Sequence, residues 1–469
     1  MRVAFCTAEA FPFAKVGGLA DVCGALPLAL EKLGEEVVLI LPGYKTVEKS
    51  KFGIKRLTDN FSTTTIGKNV RVYFIESEKY FGRPGIYGNE SGGYPDNLER
   101  YQYYSAKVFD LLKFLNLKVD VLHCHDWHAA LIPVYLKFLH KSEPFFSATK
   151  SILTIHNLGY QGIFPKQQFD VLGLDWKLFN REGFEFFDQV NVLKGGIIFS
   201  DMVSTVSPQY AKEIQTEEFG CGLNGVLHSR QDSVAGILNG VDYEVWDPRK
   251  DDLIPQKYSK DDLAAKKINK RQLQELAGLD TKEDIPLFGY VGRLSFQKGL
   301  DLLAKVMDQL VQMDLQIVLQ GLGEEKYHKM LLEMVKAHGK KISLFLQFDE
   351  KTAHMIYAGS DFFLMPSQYE PCGLGQIISL KYGTIPVVNP TGGLADTISP
   401  ADLSRSSGNG FLLKEYHREA LLQSFGDAQA AYKDKRFKEL MTRAMGYDFS
   451  WSRSAKQYQD LYQRCSALG

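Results

Sequence analysis

The chain has few cysteines, and they are not arranged to work together. Six in 469 residues, at positions 6, 23, 124, 221, 372 and 465, include no CxxC pair and no regular spacing, which argues against a disulfide framework and suits reduced thiols. No apolar run approaches the roughly 18 residues needed to cross a bilayer. The opening MRVAFCTAEAFPF, with one Arg and an early Glu9, makes a poor signal peptide and reads as a first strand. A cytoplasmic protein with no membrane contact is expected. Charge of one sign is also missing: 55 Lys plus Arg against 56 Asp plus Glu leave a formal charge of -1, so nucleic acid is not the expected partner. No GxGxxG opens the first helix, no GxxxxGK[ST] occurs, and Gly321-Leu322-Gly323 is followed by Lys326 where a third glycine is needed. Those absences weigh against dinucleotide binding and ATP hydrolysis. No Asp-x-Asp triplet exists, which removes the usual sequence hint for a divalent ion clamped onto a nucleotide diphosphate.

What remains is ordinary globular material, 45% hydrophobic and 24% charged, in a chain longer than one core usually supports. Short β-rich runs alternate with helical patterns at Val3 to Thr7, Glu36 to Leu41, Val119 to His123 and Ile152 to Ile155, with a helix after Gly18. The rhythm restarts at Leu287 to Val291, Gln316 to Leu319, Ile342 to Phe348, Asp361 to Met365 and Ile385 to Val388. Such alternation predicts parallel sheets wrapped by helices, an α/β class with two doubly wound Rossmann-like domains facing across a deep cleft. Residues 1–241 form the expected first domain, 242–284 a charged, proline-bearing linker, 285–448 the second domain and 449–469 a terminal helix. Trp451, Ala455, Tyr458 and Tyr462 give that helix one apolar face, expected to pack back across the first half.

Five letters, GGLAD, occur twice, at 17–21 and 392–396, each time past a predicted strand and before a helix. Two glycines there let backbone approach a ligand, and amides at such a position favour an anion; a plain tight turn is the alternative. Lys15 stands beside the first copy, and Arg293 and Lys298 follow a strand in GRLSFQKG, three cations placed as phosphate binders are. The cluster HCHDWH at 123–128 has metal-competent side chains, but its spacing matches no metal motif, and a structural or substrate-contacting role is expected. His156 ends a strand. Glu370, after another strand, can accept sugar hydroxyls or meet developing positive charge, or can serve as a helix cap. Cys372 lacks the neighbours of a nucleophile. Gly82 to Arg100, rich in glycine and tyrosine, reads either as a mobile flap for an acceptor or as a plain surface loop.

With KVGGLADV at 15–22, HCHDWHAA at 123–130, TIHNLGYQG at 154–162, STVSPQYAKEI at 204–214, GILNGVDYEVWDP at 236–248, GRLSFQKG at 292–299, EPCGLGQ at 370–376, TGGLADT at 391–397 and DFSW at 448–451, the chain resembles the bacterial glycogen synthase and plant starch synthase family from end to end. The resemblance implies a retaining glycosyltransferase of the GT-B fold. It would transfer glucose from ADP-glucose to the non-reducing end of an α-1,4-glucan without metal or other cofactor. It makes Lys15, Gly17 and Gly18 part of the donor site, puts Arg293 and Lys298 on the diphosphate, and sets His156, Asp126 and Asn239 against the glucosyl ring. Glu370 and the backbone amides of Cys372, Gly373 and Leu374 would hold sugar hydroxyls, with His156, Glu370, Arg293 and Lys298 carrying catalysis. The second GGLAD would shape the far wall of the donor pocket. Gln368 stands where many relatives have Arg, and Asn389-Pro390-Thr391 replaces a more basic run, so UDP-glucose stays open as the donor. A sugar-nucleotide epimerase and a non-catalytic glucan binder are the rivals from other classes; intact Lys15, His156, Arg293, Lys298 and Glu370 weigh against the latter.

Overall fold

A computed structural model describes residues 1–90 and 92–468. These divide into two compact units, one of Met1–Gly240 with the tail from Trp451, the other of Val241–Ser450.

In the first unit the described residues form a nine-stranded sheet. Its strands are β1 (Arg2–Cys6), β2 (Glu36–Pro42), β3 (Lys55–Arg56), β4 (Phe61–Ile66), β5 (Val70–Ile75), β6 (Val121–His125), β7 (Lys150–Ile155), β8 (Met202–Thr205) and β9 (Val234–Gly236), in the order β9-β8-β7-β6-β1-β2-β5-β4-β3. From β9 to β5 every pairing is parallel, and β5-β4-β3 finish one edge antiparallel. The central strands read as unbroken apolar runs because helices cover both faces; Val3, Ala4, Phe5 and Cys6 are all fully buried. Register decides where the chemistry falls. Cys6 lies opposite Cys124, and His125 opposite Thr154, so the residues just past β1, β6 and β7 emerge at one level. The strand expected over Val119 to His123 runs instead over Val121–His125. Its last residues are polar, yet buried and partnered, which hides them from a hydrophobicity pattern.

Helix α1 (Gly18–Lys32) buries Leu19, Val22, Cys23, Leu26 and Leu30. The C-terminal helix Trp451–Ser466 packs on α1 and β7 in this unit, burying Trp451, Ala455, Tyr458 and Tyr462. The segment 82–100 is tied down: Arg83 pairs with both oxygens of Asp96, and the fully buried Arg100 donates to the carbonyls of Tyr80 and Ile86. Ser91, within it, lies outside the described residues.

The second unit is an all-parallel sheet of β10 (Leu287–Val291), β11 (Gln316–Gln320), β12 (Ile342–Phe345), β13 (Phe362–Met365), β14 (Ile385–Val388) and β15 (Phe411–Leu412), ordered β12-β11-β10-β13-β14-β15. β12 stops short of the expected Phe348, which is 65% exposed. Residues 242–284, expected as a linker, are folded into this unit. Helix α2 (Lys266–Leu276) packs along α3 (Glu350–Gly359), with Lys266 Nζ donating to Ala358 O at 2.7 Å and Lys270 Nζ paired with Asp361 at 2.7 Å. Asp251 is buried between His354 at 2.8 Å and the Tyr382 hydroxyl at 2.6 Å.

Candidate active site

In the first unit, the turn before α1 is organised by a residue that sequence reasoning passed over. The buried Glu9 carboxylate accepts from the amides of Val16 at 2.6 Å and Gly17 at 2.9 Å, and from the Tyr87 hydroxyl at 2.5 Å. Amides at this turn were expected to favour an anion, and the amide of Gly17 already serves an internal one. A buried acid directly behind a strand was the available signal, and in the sequence it counted only against a leader peptide. Around Gly17 and Gly18 the molecule is open, since a Cβ added at either would meet nothing within 4 Å. Lys15 pairs with Asp21 at 2.6 Å with its side chain about half exposed, a pair of small energetic weight that leaves the ammonium available.

Past β6 and β7 the structure brings Asp126 and His156 together. Asp126 adopts a left-handed φ of 54°, which turns its carboxylate toward the β7 end, where Oδ1 accepts the His156 amide at 2.8 Å. Burial pushes the Asp126 carboxyl up to about 7; the amides of His156 and Asn157 oppose that, and the charge of Glu9 adds to it. The His156 ring meets His125, Nε2 to Nδ1 at 3.0 Å, and burial lowers it to about 3, so the imidazole is neutral at physiological pH. The HCHDWH run divides by role. His123 points into the core between Tyr462 at 2.9 Å and Thr154 at 2.6 Å, and His128 stacks on Tyr87, while His125 and Asp126 stay at the strand ends. Asn239 is buried, and its Oδ1 has no partner among the described residues.

In the second unit the loop after β10 carries Arg293 and Lys298. Gly299 takes a left-handed φ of 75°, and a Cβ there would lie 1.9 Å from Pro366 O, so only glycine lets this loop close on the end of β13. That closure sets Lys298 Nζ 2.5 Å from Glu370 Oε2, which also accepts from Ser367 Oγ at 3.0 Å. Glu370 is 5% exposed, so Lys298 is the cation that compensates its burial. A cavity of about 100 Å³ opens here, lined by Tyr290, Gly292, Lys298, Ser367, Glu370, Gly373 and Leu374; Arg293 and Cys372 do not line it. Arg293 is exposed on the same loop, and its carbonyl accepts from Tyr290 OH at 2.7 Å. Gln376, opening α4 (Gly375–Lys381), donates to the carbonyls of Cys372 and Gly373 at 2.9 and 3.0 Å and fixes that loop. The second GGLAD packs directly behind it: Cβ atoms at Gly392 and Gly393 would each come within 2.0 Å of the carbonyl oxygens of Glu370 and Cys372.

Two doubly wound units with cationic loops at their strand ends are the architecture of GT-B glycosyltransferases. A sucrose-phosphate synthase from Thermosynechococcus elongatus shares the fold at 17% identity, TM-score 0.65 and full coverage of both chains. Residues 2–229 match the starch synthase catalytic domain family and 273–435 the glycosyl transferases group 1 family. Glycogen synthases of Thermotoga petrophila and Geotalea daltonii are each 45% identical to the chain, covering 100% and 99% of it and 99% and 98% of their own lengths. The catalytic domain of starch synthase IV from Arabidopsis thaliana, solved bound to ADP and acarbose, superposes with a TM-score of 0.90 at 32% identity, with 99% of each chain covered. The chain belongs to the glycogen synthase and starch synthase family of glycosyltransferases. Among the described residues, no helix is long and apolar enough to cross a membrane.

Proposed function

We propose that the chain extends an α-1,4-glucan by transferring glucose from ADP-glucose to its non-reducing end, with retention of configuration and without a metal ion. The observation that carries this reading is the Lys298–Glu370 pair at 2.5 Å on the cavity behind β10 and β13. It sets a cation for a departing diphosphate beside a carboxylate for sugar hydroxyls. The starch synthase structure holding ADP and acarbose, a nucleotide and a sugar, supports the substrate classes.

In this reading Arg293 and Lys298 meet the charge that grows on the leaving diphosphate, with Lys15 on the same donor. Glu370 and the amides of Cys372, Gly373 and Leu374 hold glucosyl hydroxyls, and Asp126, Asn239 and His156 contact the ring. The lone Oδ1 of Asn239 is an acceptor that a hydroxyl would satisfy. Retention by double displacement needs two carboxylates about 5–5.5 Å apart, and where many retaining enzymes of this fold carry a second Glu eight positions after the first, this chain has Ile378. The family resemblance favours a front-face path. The sugar becomes oxocarbenium-like, the leaving phosphate takes the proton of the incoming hydroxyl, and the His156 carbonyl steadies the cation. A neutral His156 ring adds no positive charge there, consistent with this role.

The test is nucleotide release from ADP-, UDP- and GDP-glucose, each with and without glycogen, after exhaustive chelation. ADP release that requires glycogen and survives chelation is expected. Faster release from UDP-glucose would transfer the reading to that donor, and turnover without glycogen would favour an epimerase or hydrolase. Loss of polymer growth on chelation would end the metal-free mechanism.

A further inference from the structure

Three soft-metal ligands converge in the first unit at a place none of the roles above uses as such. Cys23 comes from α1, His125 from the end of β6 and His156 from just past β7, and one ligand atom from each lies within 4.8 Å of the others. We propose that Cys23, His125 and His156 form a binding site for a thiophilic divalent cation such as Zn²⁺, and that occupation of this site inhibits the enzyme by capturing His156.

Two observations support it. The His125 and His156 nitrogens are 3.0 Å apart, near the roughly 3.3 Å between two imidazole ligands on tetrahedral zinc with bonds of about 2.0–2.1 Å. The Nε2 of His125 is buried with no partner among the described residues, so no second hydrogen bond fixes the ring's tautomer against presenting Nδ1 to an ion. His156 is only partly buried and provides a way in, whereas Cys23 is fully enclosed. Binding transfers the Cys23 thiol proton to solvent and leaves a thiolate on the metal. Sulfur with two imidazoles selects Zn²⁺, Co²⁺ or copper over Mg²⁺ and Ca²⁺, which take oxygen ligands.

The inhibitory half rests on the role of His156 under Proposed function; the binding half does not, and the test separates them. Chelator-stripped full-length protein titrated with Co²⁺ should show the visible bands of a tetrahedral ion and a thiolate-to-cobalt charge-transfer band, both displaced by Zn²⁺. Cys23→Val, which keeps an apolar group on the buried face of α1, and Cys23→Ser should each lose the charge-transfer band and weaken binding by about tenfold or more. Both should keep wild-type metal-free turnover and raise the Zn²⁺ concentration for half-inhibition by the same factor. Cys372→Ser should still show the charge-transfer band. Absence of that band in the wild type, its persistence in both folded Cys23 variants, or its loss in Cys372→Ser would overturn the site. Tight binding with full activity would overturn the inhibition.

Discussion

An added Cβ at Gly17 or Gly18 would meet no atom within 4 Å, whereas one at Gly392 would come within 2.0 Å of the Glu370 carbonyl. The same five letters therefore solve opposite problems. In the first unit the glycines keep a turn open above a buried carboxylate, and the fold is fixed from beneath by Glu9. In the second they let two backbone segments touch, and the loop carrying Glu370 is fixed by the glycines themselves. Gly392 also needs a left-handed φ of 46°, which Gly17, at φ −146°, does not. Sequence identity over a short motif thus reports a shared place ahead of a helix, while the backbone conformation and its reason are set by what lies on the other side of the turn.

The sharpest test of that contrast is Gly392→Ala. Overpacking against backbone, added to the strained φ, should cost about 3 kcal/mol or more, read as a lowered denaturation midpoint of the second unit. A cost below about 1 kcal/mol would erase the distinction. Lys298→Ala comes next. Removal of a charge-assisted contact worth about 1.5–3 kcal/mol should lower kcat/KM by about 10- to 150-fold. It also strands the buried Glu370 carboxylate, so thermal stability should fall as well. Wild-type kinetics in this variant would remove Lys298 from the reaction.

Glu9→Gln should have a moderate effect. It replaces the carboxylate that serves two amides, at a cost of about 1–2 kcal/mol, and removes one of the influences that raise Asp126. The sign follows from the folded value of about 7 against the ordinary 3.8. Across that window the unfolded chain has released the Asp126 proton while the native protein holds it. The Asp126 contribution to stability therefore falls as pH rises from about 4 to 7, then levels off. Glu9→Gln should shorten the fall, as measured by urea denaturation at stepped pH; a fall that levels off at the same pH as in the wild type would detach Asp126 from Glu9. The smallest effect is expected for Gly17→Ala, with stability within about 0.5 kcal/mol of wild type and a raised KM for the nucleotide sugar as its signature.

Strands β1, β2, β10, β11, β13 and β14 were legible because central strands of parallel sheets are apolar on both faces. The β4–β5 hairpin was not: Thr63, Thr64 and Thr65 sit at a sheet edge, where polar residues face water. Residues 242–284 misled for the converse reason. Their charges look solvated, but Asp251, Lys266 and Lys270 are buried against Tyr382, Ala358 and Asp361, partners more than ninety positions away. The cationic loop and Glu370 could be read because glycine and proline mark strand ends. Glu9, His125 and Cys23 could not, since each matters only through neighbours that the fold supplies from other elements.

The bond between His123 and Tyr462 spans 339 positions. A ribosome making this protein releases β6 long before the phenol that will cap that imidazole, so the first-built sheet must wait through the synthesis of an entire second unit with a histidine uncovered. Assembly of this sheet is thereby tied to the far end of the chain: without the helix Trp451–Ser466 the imidazole lacks its phenol and α1 lacks its cover.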